Sequence, residues 1–229
     1  MVFILKHIDI EGPGIFSNFL NLTGLRTEIY EVYECQSMPG LDSCRGILVM
    51  GGPMNVYELD QYPFLKKEED FLKDAIGRKI PIIGICLGAQ ILAKINGARI
   101  YRSEEKEIGW HKVYLTADGR KDPLFQGLQE SMTVFQWHED TFDIPENGLL
   151  LAKGKKVKNQ ALRFSDYAWG LQYHPEITSA LIRSWVKKSG EKLDLKKMMQ
   201  DYFSHQDIYL KQAKKICFNF AGIIKKNKL

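Results

Sequence analysis

The 229-residue sequence has few cysteines and no long apolar run. Its cysteines are scattered and form no C-x-x-C pair, so neither a disulfide framework nor a zinc site is indicated. No run of apolar residues approaches the roughly 20 that a membrane-spanning helix needs. The apolar start is interrupted by Lys6, His7 and Asp9, unlike a signal peptide. We therefore expect a cytoplasmic protein with no metal, no cofactor and no membrane partner.

The sequence also lacks a strong charge of either sign. It carries 32 Lys and Arg against 28 Asp and Glu, a net charge of +4, with much of the surplus in lysine pairs near the C-terminus. This surplus is too weak for a nucleic-acid interface. The 45% hydrophobic content suffices for a full core. With no repeat, low-complexity segment or linker, we predict one domain over residues 1–229, with a core of about 1–185 and a helical extension of about 186–229.

Short apolar runs alternate with amphipathic segments in the first half of the chain, which predicts a mostly parallel sheet with helices on both faces. Closely spaced strands then predict antiparallel additions to the sheet. The predicted strands are 2–5, 27–33, 46–50, 80–85, 98–101, 112–115, 133–137, 149–152, 160–164 and 168–174. The predicted helices open at 11–14 and end at Gly24, cover 64–76 and 89–95, and fill the tail from Thr178 with a break near Gly190.

Residues 81–90, P-I-I-G-I-C-L-G-A-Q, place Cys86 between a buried strand and a helix. A sharp strand-to-helix turn exposes a nucleophile, and flanking glycines let neighbouring backbone pass closely. A helix N-terminus also favours a thiolate. On its own, the G-x-C-x-G pattern is equally compatible with a core cysteine at a tight turn.

A second motif supplies the groups that activate a thiol. His174 and Glu176 flank Pro175 at the end of the last predicted strand, and residues two apart on a strand face the same side. A nucleophilic thiol needs a base, and the base needs an acceptor that fixes its tautomer. Cys86, His174 and Glu176 are therefore the predicted catalytic residues. The alternative is a surface His-Pro-Glu turn.

A third motif, Gly51-Gly52-Pro53, ends another buried strand. The N–H of Gly52, with that of Leu87, would form an oxyanion hole from two main-chain donors. By itself Gly-Gly-Pro is only a turn.

Together, G-G-P at 51–53, G-I-C-L-G-A-Q at 84–90 and H-P-E at 174–176 resemble the class I (triad-type) glutamine amidotransferases, in particular stand-alone relatives of the GMP synthase amidotransferase domain. The resemblance covers about residues 1–185. It implies a flavodoxin-like fold, hydrolysis of L-glutamine through a γ-glutamyl thioester, and transfer of ammonia to a synthetase partner.

The resemblance also implies substrate contacts. Gln90 becomes a glutamine-binding side chain, and residues 133–140 become a strand and loop whose backbone holds the substrate's α-amino and α-carboxylate groups. Trp137, His138, Glu139 and Asp140 are thus predicted substrate-binding residues. The family often has glycine where this chain has Glu139, which bears on the substrate preference.

Other features have plainer interpretations. We expect His138 to shape its loop rather than act as a base, Glu107–His111 to be a turn, and Glu11–Gly14 to be a helix start. Cys35, Cys44 and Cys217 are predicted to be inert thiols. The apolar residues of the tail would pack on the chain's own domain or else dock a partner subunit or a second copy.

Three functions follow from the sequence. The first is glutamine hydrolysis, alone or for a separate synthetase, since the chain has no pyrophosphatase loop. The second is cleavage of other γ-glutamyl bonds, in peptides or conjugated amines, by the same three residues. The third is a non-catalytic regulatory or scaffolding subunit.

Overall fold

The structure, a computed structural model, describes residues 1–34 and 37–227. Cys35, one of the predicted inert thiols, lies outside them. The strands are β1 Val2–Lys6, β2 Thr27–Glu31, β3 Gly46–Val49, β4 Ile82–Ile85, β5 Ile100–Leu115, β6 Ser131–Phe142, β7 Leu149–Gly154, β8 Asn159–Ser165 and β9 Ala168–Leu171. The helices are α1 Gly14–Leu22, α2 Phe64–Gly77, α3 Leu87–Ile95, α4 Ala117–Lys121, α5 Ser179–Ser189 and α6 Leu195–Lys226.

All nine of these strands form one sheet in the order β2-β1-β3-β4-β9-β8-β7-β5-β6. The first five are mutually parallel, and the others are added antiparallel. The parallel part has the flavodoxin-like order, in which functional sites lie at the carboxyl ends of the strands. The predicted α/β class with antiparallel additions is confirmed.

The sheet divides the apolar interior into two cores because successive residues of a strand face opposite sides. In β1, Val2 and Ile4 pack with residues of α1, α5 and α6. Phe3 and Leu5 pack on the other side with residues of α2 and α3. Burial on both faces explains why the parallel strands read as continuous apolar runs.

The predicted turn at Glu107–His111 is wrong. These residues lie within β5, which joins the two separately predicted strands 98–101 and 112–115 and pairs with β6 across an irregularity between Arg102 and Glu107. Residues 103–106 are polar and Gly109, with a φ of +93°, interrupts residues 107–111, so the segment has no apolar alternation that would mark a strand. β6 likewise runs five residues beyond its predicted end, through the polar sequence H-E-D-T at 138–141.

The tail forms two helices separated at Gly190, which follows α5 with a φ of +68°. Apolar residues of α6 are buried in the core beneath β1, β3 and β4, as the self-packing interpretation requires; these are Met199, Tyr202, Tyr209, Ile216, Phe220 and Ile224. Within 1–34 and 37–227, none of the helices is long and apolar enough to cross a membrane.

Candidate active site

Cys86 occupies a strained turn between β4 and α3. Its φ of 51° and ψ of −107° are uncommon for a residue with a side chain and imply that surrounding contacts hold the turn. A Cβ at Gly84 would overlap the backbone of Gly88, and a Cβ at Gly88 would overlap the carbonyl of Val49. The G-x-C-x-G spacing is therefore required by sterics, and it presents the cysteine at the carboxyl end of β4.

The thiol of Cys86 faces β6. Its Sγ lies 3.7 Å from the carbonyl oxygen of Trp137 and 3.8 Å from Nε2 of Gln172. Burial raises the pKa of the Cys44 thiol to about 11 and that of the Cys217 thiol to about 12. Both stay protonated at neutral pH and are poor nucleophiles.

His174 and Glu176 form a buried pair, with 2.8 Å between Nδ1 and Oε1. The prediction places both residues on one face at the end of the last strand. However, β9 ends at Leu171, so a different contact brings them together. The backbone N–H of His174 donates to the carbonyl of Phe135 at 2.8 Å, which ties this segment to β6. Burial alone would lower the pKa of His174, but the Glu176 carboxylate and the Cys86 thiol outweigh it and hold this pKa well above its usual value.

The imidazole of His174 and the side chain of Cys86 flank one small volume next to Gly51. A Cβ built on Gly51 would lie 3.2 Å from Cε1 of His174 and 3.6 Å from Cβ of Cys86. Nε2 of His174 is buried and has no hydrogen bond of normal geometry to any described group. Hydrogen bonds between a base and a nucleophile are often long in the absence of substrate. The structure thus brings the three predicted catalytic residues together.

The two predicted oxyanion donors lie beside this volume. A Cβ on Gly52 would lie 2.8 Å from Cδ2 of Leu87, so the two residues are neighbours. Leu87 begins α3, so its N–H has no acceptor within the helix. The N–H of Gly88 donates to the carbonyl of Met50 at 3.2 Å, which fastens the start of α3 to the end of β3.

A cavity of about 800 Å³ opens over Cys86. It is lined by Gly52, Cys86 and His174 and by all the predicted substrate-binding residues, Gln90, Trp137, His138, Glu139 and Asp140. Gln90 is held in place by hydrogen bonds from its Nε2 to the carbonyl of Asp140 (3.3 Å) and to Oε1 of Gln172 (3.5 Å).

His138 is held by its neighbours on both ring nitrogens. Its Nε2 lies 3.2 Å from Oε2 of Glu107, and its Nδ1 lies 3.0 Å from the carbonyl oxygen of Asp140. Burial would raise the pKa of Glu107, but His138 and a hydrogen bond from Gln160 lower it overall. These contacts fit the predicted shaping role of His138 and give Glu107 a role that sequence inspection missed.

Glu139 takes part in a chain of ion pairs at the cavity mouth. Its carboxylate lies 2.6 Å from Arg102 and 2.7 Å from Lys106. Lys106 also pairs with Glu191, which follows α5, at 2.5 Å. Glu139, at the position where the family often has glycine, therefore links β5, β6 and the α5–α6 connection.

Three further residues lie near the site, although the sequence does not predict them as site residues: His7, Glu11 and Glu68. Glu11 lines the cavity next to Gly51. Burial raises the pKa of Glu11 to about 7, against the opposing effect of His174. Nothing in the local sequence marks Glu11 as more than part of a helix start, because its neighbours in the site come from distant segments.

This fold and cavity correspond to a known family. A model of the class-I glutamine amidotransferase family matches residues 17–189. The chain belongs to this family.

Individual relatives agree with that assignment. The glutamine amidotransferase-like protein YfeJ of Salmonella typhimurium is 26% identical over 196 residues, which cover 84% of this chain and 82% of that protein. The glutamine-hydrolysing GMP synthase of Porphyromonas gingivalis is 33% identical over 175 residues, which cover 75% of this chain but 32% of the synthase. The chain therefore spans about a third of that synthase.

Solved structures give the same result for the fold. A glutamine amidotransferase from Thermotoga maritima has a TM-score of 0.88 at 27% identity, covering 96% of this chain and 97% of that one. A glutamine amidotransferase from Methylobacillus flagellatus has a TM-score of 0.82 at 26% identity, covering 96% and 93%.

Proposed function

We propose that the chain hydrolyses the side-chain amide of glutamine at Cys86. The observation that carries this proposal is that Cys86 and His174 line one cavity and that Glu176 is paired with the imidazole of His174. His174 takes the Sγ proton, and the sulfur attacks the amide carbon. Collapse of the tetrahedral intermediate breaks the C–N bond, and His174 returns the proton to the leaving nitrogen, which departs as ammonia.

The second half-reaction uses the same groups. His174 removes a proton from water, and the hydroxide attacks the thioester carbon. The C–S bond then breaks, glutamate is released, and His174 returns its proton to the sulfur, which restores the thiol. Glu176 orients the imidazole and stabilises its charge, as an acidic partner does in other triads. The N–H groups of Gly52 and Leu87 bind the oxyanion in both steps.

Gln90 and residues 137–140 would hold the substrate, since all of them line the cavity. The relation to GMP synthases supports an ammonia-accepting synthetase on a separate polypeptide. Because the match covers 32% of the P. gingivalis enzyme, synthetase chemistry itself is not proposed for this chain.

A second candidate is hydrolysis of γ-glutamyl peptides or amines by the same three residues. The cavity volume of about 800 Å³ is within the range of sites for drug-sized ligands and exceeds what one free glutamine needs. The thioester chemistry is identical, and only the leaving group differs. A scaffolding role without catalysis would leave the buried His174–Glu176 pair unexplained.

The test of the proposed function is glutamate release by the pure chain. Cys86→Ala should abolish it while the far-ultraviolet spectrum and unfolding midpoint stay close to wild type. Retained hydrolysis in this variant would reject Cys86 as the nucleophile. The ratio of kcat/KM for glutamine to that for γ-glutamyl dipeptides separates the two candidates, because a strong preference for glutamine excludes the second.

A further inference from the structure

Behind the proposed oxyanion hole lies a buried ion pair that the reaction does not use. His7 follows β1 and is fully buried, as is Glu68 of α2. Nε2 of His7 lies 3.0 and 2.9 Å from the two carboxylate oxygens of Glu68. Nδ1 of His7 lies 2.9 Å from the carbonyl oxygen of Gly51. Such a pair is costly to bury and is weak evidence for a purely stabilising role.

The partners of His7 define its protonation. A carbonyl oxygen can only accept, so Nδ1 must carry a hydrogen and donate to Gly51. Nε2 faces a carboxylate and donates in the same way. Burial lowers the pKa of His7, but Glu68 outweighs burial and raises it overall. His7 therefore donates a hydrogen bond from each ring nitrogen, one to Glu68 of α2 and one to the Gly51 carbonyl.

The carbonyl of Gly51 and the N–H of Gly52 belong to the same peptide unit. The described chain has no cis peptide bond, so these two groups point in opposite directions from one plane. When His7 holds the Gly51 oxygen, the Gly52 N–H points away from His7. Gly52 lines the cavity, and among the described residues no acceptor takes its N–H.

A peptide between two glycines needs such an anchor. Gly51 and Gly52 have no side chains that restrict their dihedral angles, and Pro53 follows them without an N–H to donate. Rotation of this peptide would exchange its N–H for its carbonyl at the cavity and abolish the oxyanion hole. The bond from His7 opposes that rotation.

We propose that His7 and Glu68 are positioning residues that lock the Gly51–Gly52 peptide, so that the oxyanion hole is preformed in the chain alone. This inference rests on the proposed function and deepens it. It assigns a role to two residues outside the proposed triad, and it implies that hydrolysis does not wait for a partner to align this loop.

Two substitutions at His7 separate positioning from packing. In His7→Asn the amide nitrogen occupies the place of Nδ1 and still donates to Gly51. In His7→Gln the longer side chain places its amide near Nε2, beside Glu68, and the bond to Gly51 is lost. We expect kcat of His7→Gln to fall by about 100-fold, the effect of losing one oxyanion donor, with KM within about threefold. His7→Asn should stay within about tenfold of wild-type kcat.

Alkylation of Cys86 by iodoacetamide, followed by peptide mapping, is the control readout. In this reaction the thiolate forms an S–C bond as iodide leaves, and no oxyanion develops. The alkylation rate at Cys86 should therefore be equal in wild type and both His7 variants. A matching fall in alkylation and hydrolysis would mean general damage to the site and would overturn the inference.

The inference would also be overturned if His7→Asn and His7→Gln had equal kcat, or if a higher KM accounted for the loss of activity in His7→Gln. If His7→Gln does not fold, two substitutions at Glu68 take its place. Glu68→Gln keeps a hydrogen-bond partner for Nε2 of His7 and should retain far more kcat than Glu68→Leu. Equal kcat values would contradict the inference. A wild-type chain that alkylates normally but cleaves neither glutamine nor γ-glutamyl dipeptides on its own would overturn the inference that the hole is preformed. Hydrolysis that survives in Cys86→Ala would refute the proposed function itself. An active wild type with indistinguishable variants refutes only the positioning role.

Discussion

Glu11 is the residue whose environment departs most from what its position in the sequence indicates. Its carboxyl group lies next to Gly51, with His174, Glu176 and His7 as its charged neighbours. Burial favours the neutral acid and raises its pKa from 4.5 to about 7. A carboxyl group that titrates near neutrality beside a proposed nucleophile changes the charge of the cavity within the physiological range.

Glu11→Gln should stabilise the protein at neutral and alkaline pH but not in acid. The folded state holds the Glu11 proton more tightly than the unfolded state, so ionisation destabilises the fold as pH rises from about 4.5 to 7 and at full strength above that. The glutamine variant avoids this loss, by up to about 3 kcal/mol at pH 8, and is close to wild type at or below pH 4.5. Urea denaturation at the two pH values measures the difference. A constant difference at both values would contradict the titration.

Gly51→Ala tests how tightly the site is packed. The added methyl group would overlap Oε2 of Glu11 and stand 3.2 Å from Cε1 of His174. Misplacement on this scale should lower kcat/KM by about 100-fold or more. Gly12→Ala is the matched control, because its methyl group meets nothing within 4 Å. If both variants keep wild-type activity, Gly51 is not in the reacting volume.

At the scale of elements, α6 supports the segment that carries Glu176. The hydroxyl of the buried Tyr209 lies 2.8 Å from the carbonyl oxygen of Pro175 and 2.9 Å from that of Ile177. These carbonyls belong to the residues on either side of Glu176. Among the described residues of α6, only Tyr209 donates a hydrogen bond to them. The matched family region ends at residue 189, so α6 contributes to the site from outside it.

Tyr209→Phe should cost about 1–2 kcal/mol of unfolding free energy, because the single O–H donor shared by two buried carbonyls is lost. It should also lower kcat more than it changes KM, since Glu176 would be held less firmly. Tyr114→Phe removes a hydroxyl from a tyrosine that is 38% exposed and should be neutral. Comparison of unfolding midpoints and steady-state kinetics checks both effects.

The elements that sequence reasoning finds are those with a pattern of local burial. β1, β3 and β4 are buried on both faces and read as apolar runs, whereas residues 107–111 of β5 contain Gly109 with a φ of +93° and lack apolar alternation, so their sequence resembles a turn. The proposed triad was likewise predictable, because each part lies in a short motif. His7 was not, since its partners Gly51 and Glu68 are 44 and 61 residues away and only the fold brings them together.

For the whole molecule, the C-terminal helix is part of the core and not an appendage. Arg45, which precedes β3, donates to the carbonyl of Asn227 at 2.8 Å. Phe220 of α6 is 1% exposed, and Phe203 of the same helix is 60% exposed. The prediction of one domain over the full length therefore has a direct test.

Phe220→Ala should destabilise the protein by about 3–5 kcal/mol through a cavity in the core. Phe203→Ala should change stability by less than about 0.5 kcal/mol. Both are measured by urea denaturation followed at two wavelengths. If α6 were an independent unit, Phe220→Ala would instead produce a separate early transition and leave the main midpoint unmoved.

The indole of Trp185 lies edge-on to the ring of His174, with 4.8 Å between centroids. An imidazolium at that separation quenches indole emission more strongly than a neutral imidazole does. The difference in emission between wild type and Trp185→Phe should therefore fall when His174 gains a proton, which would report the charge of this imidazole without any added label.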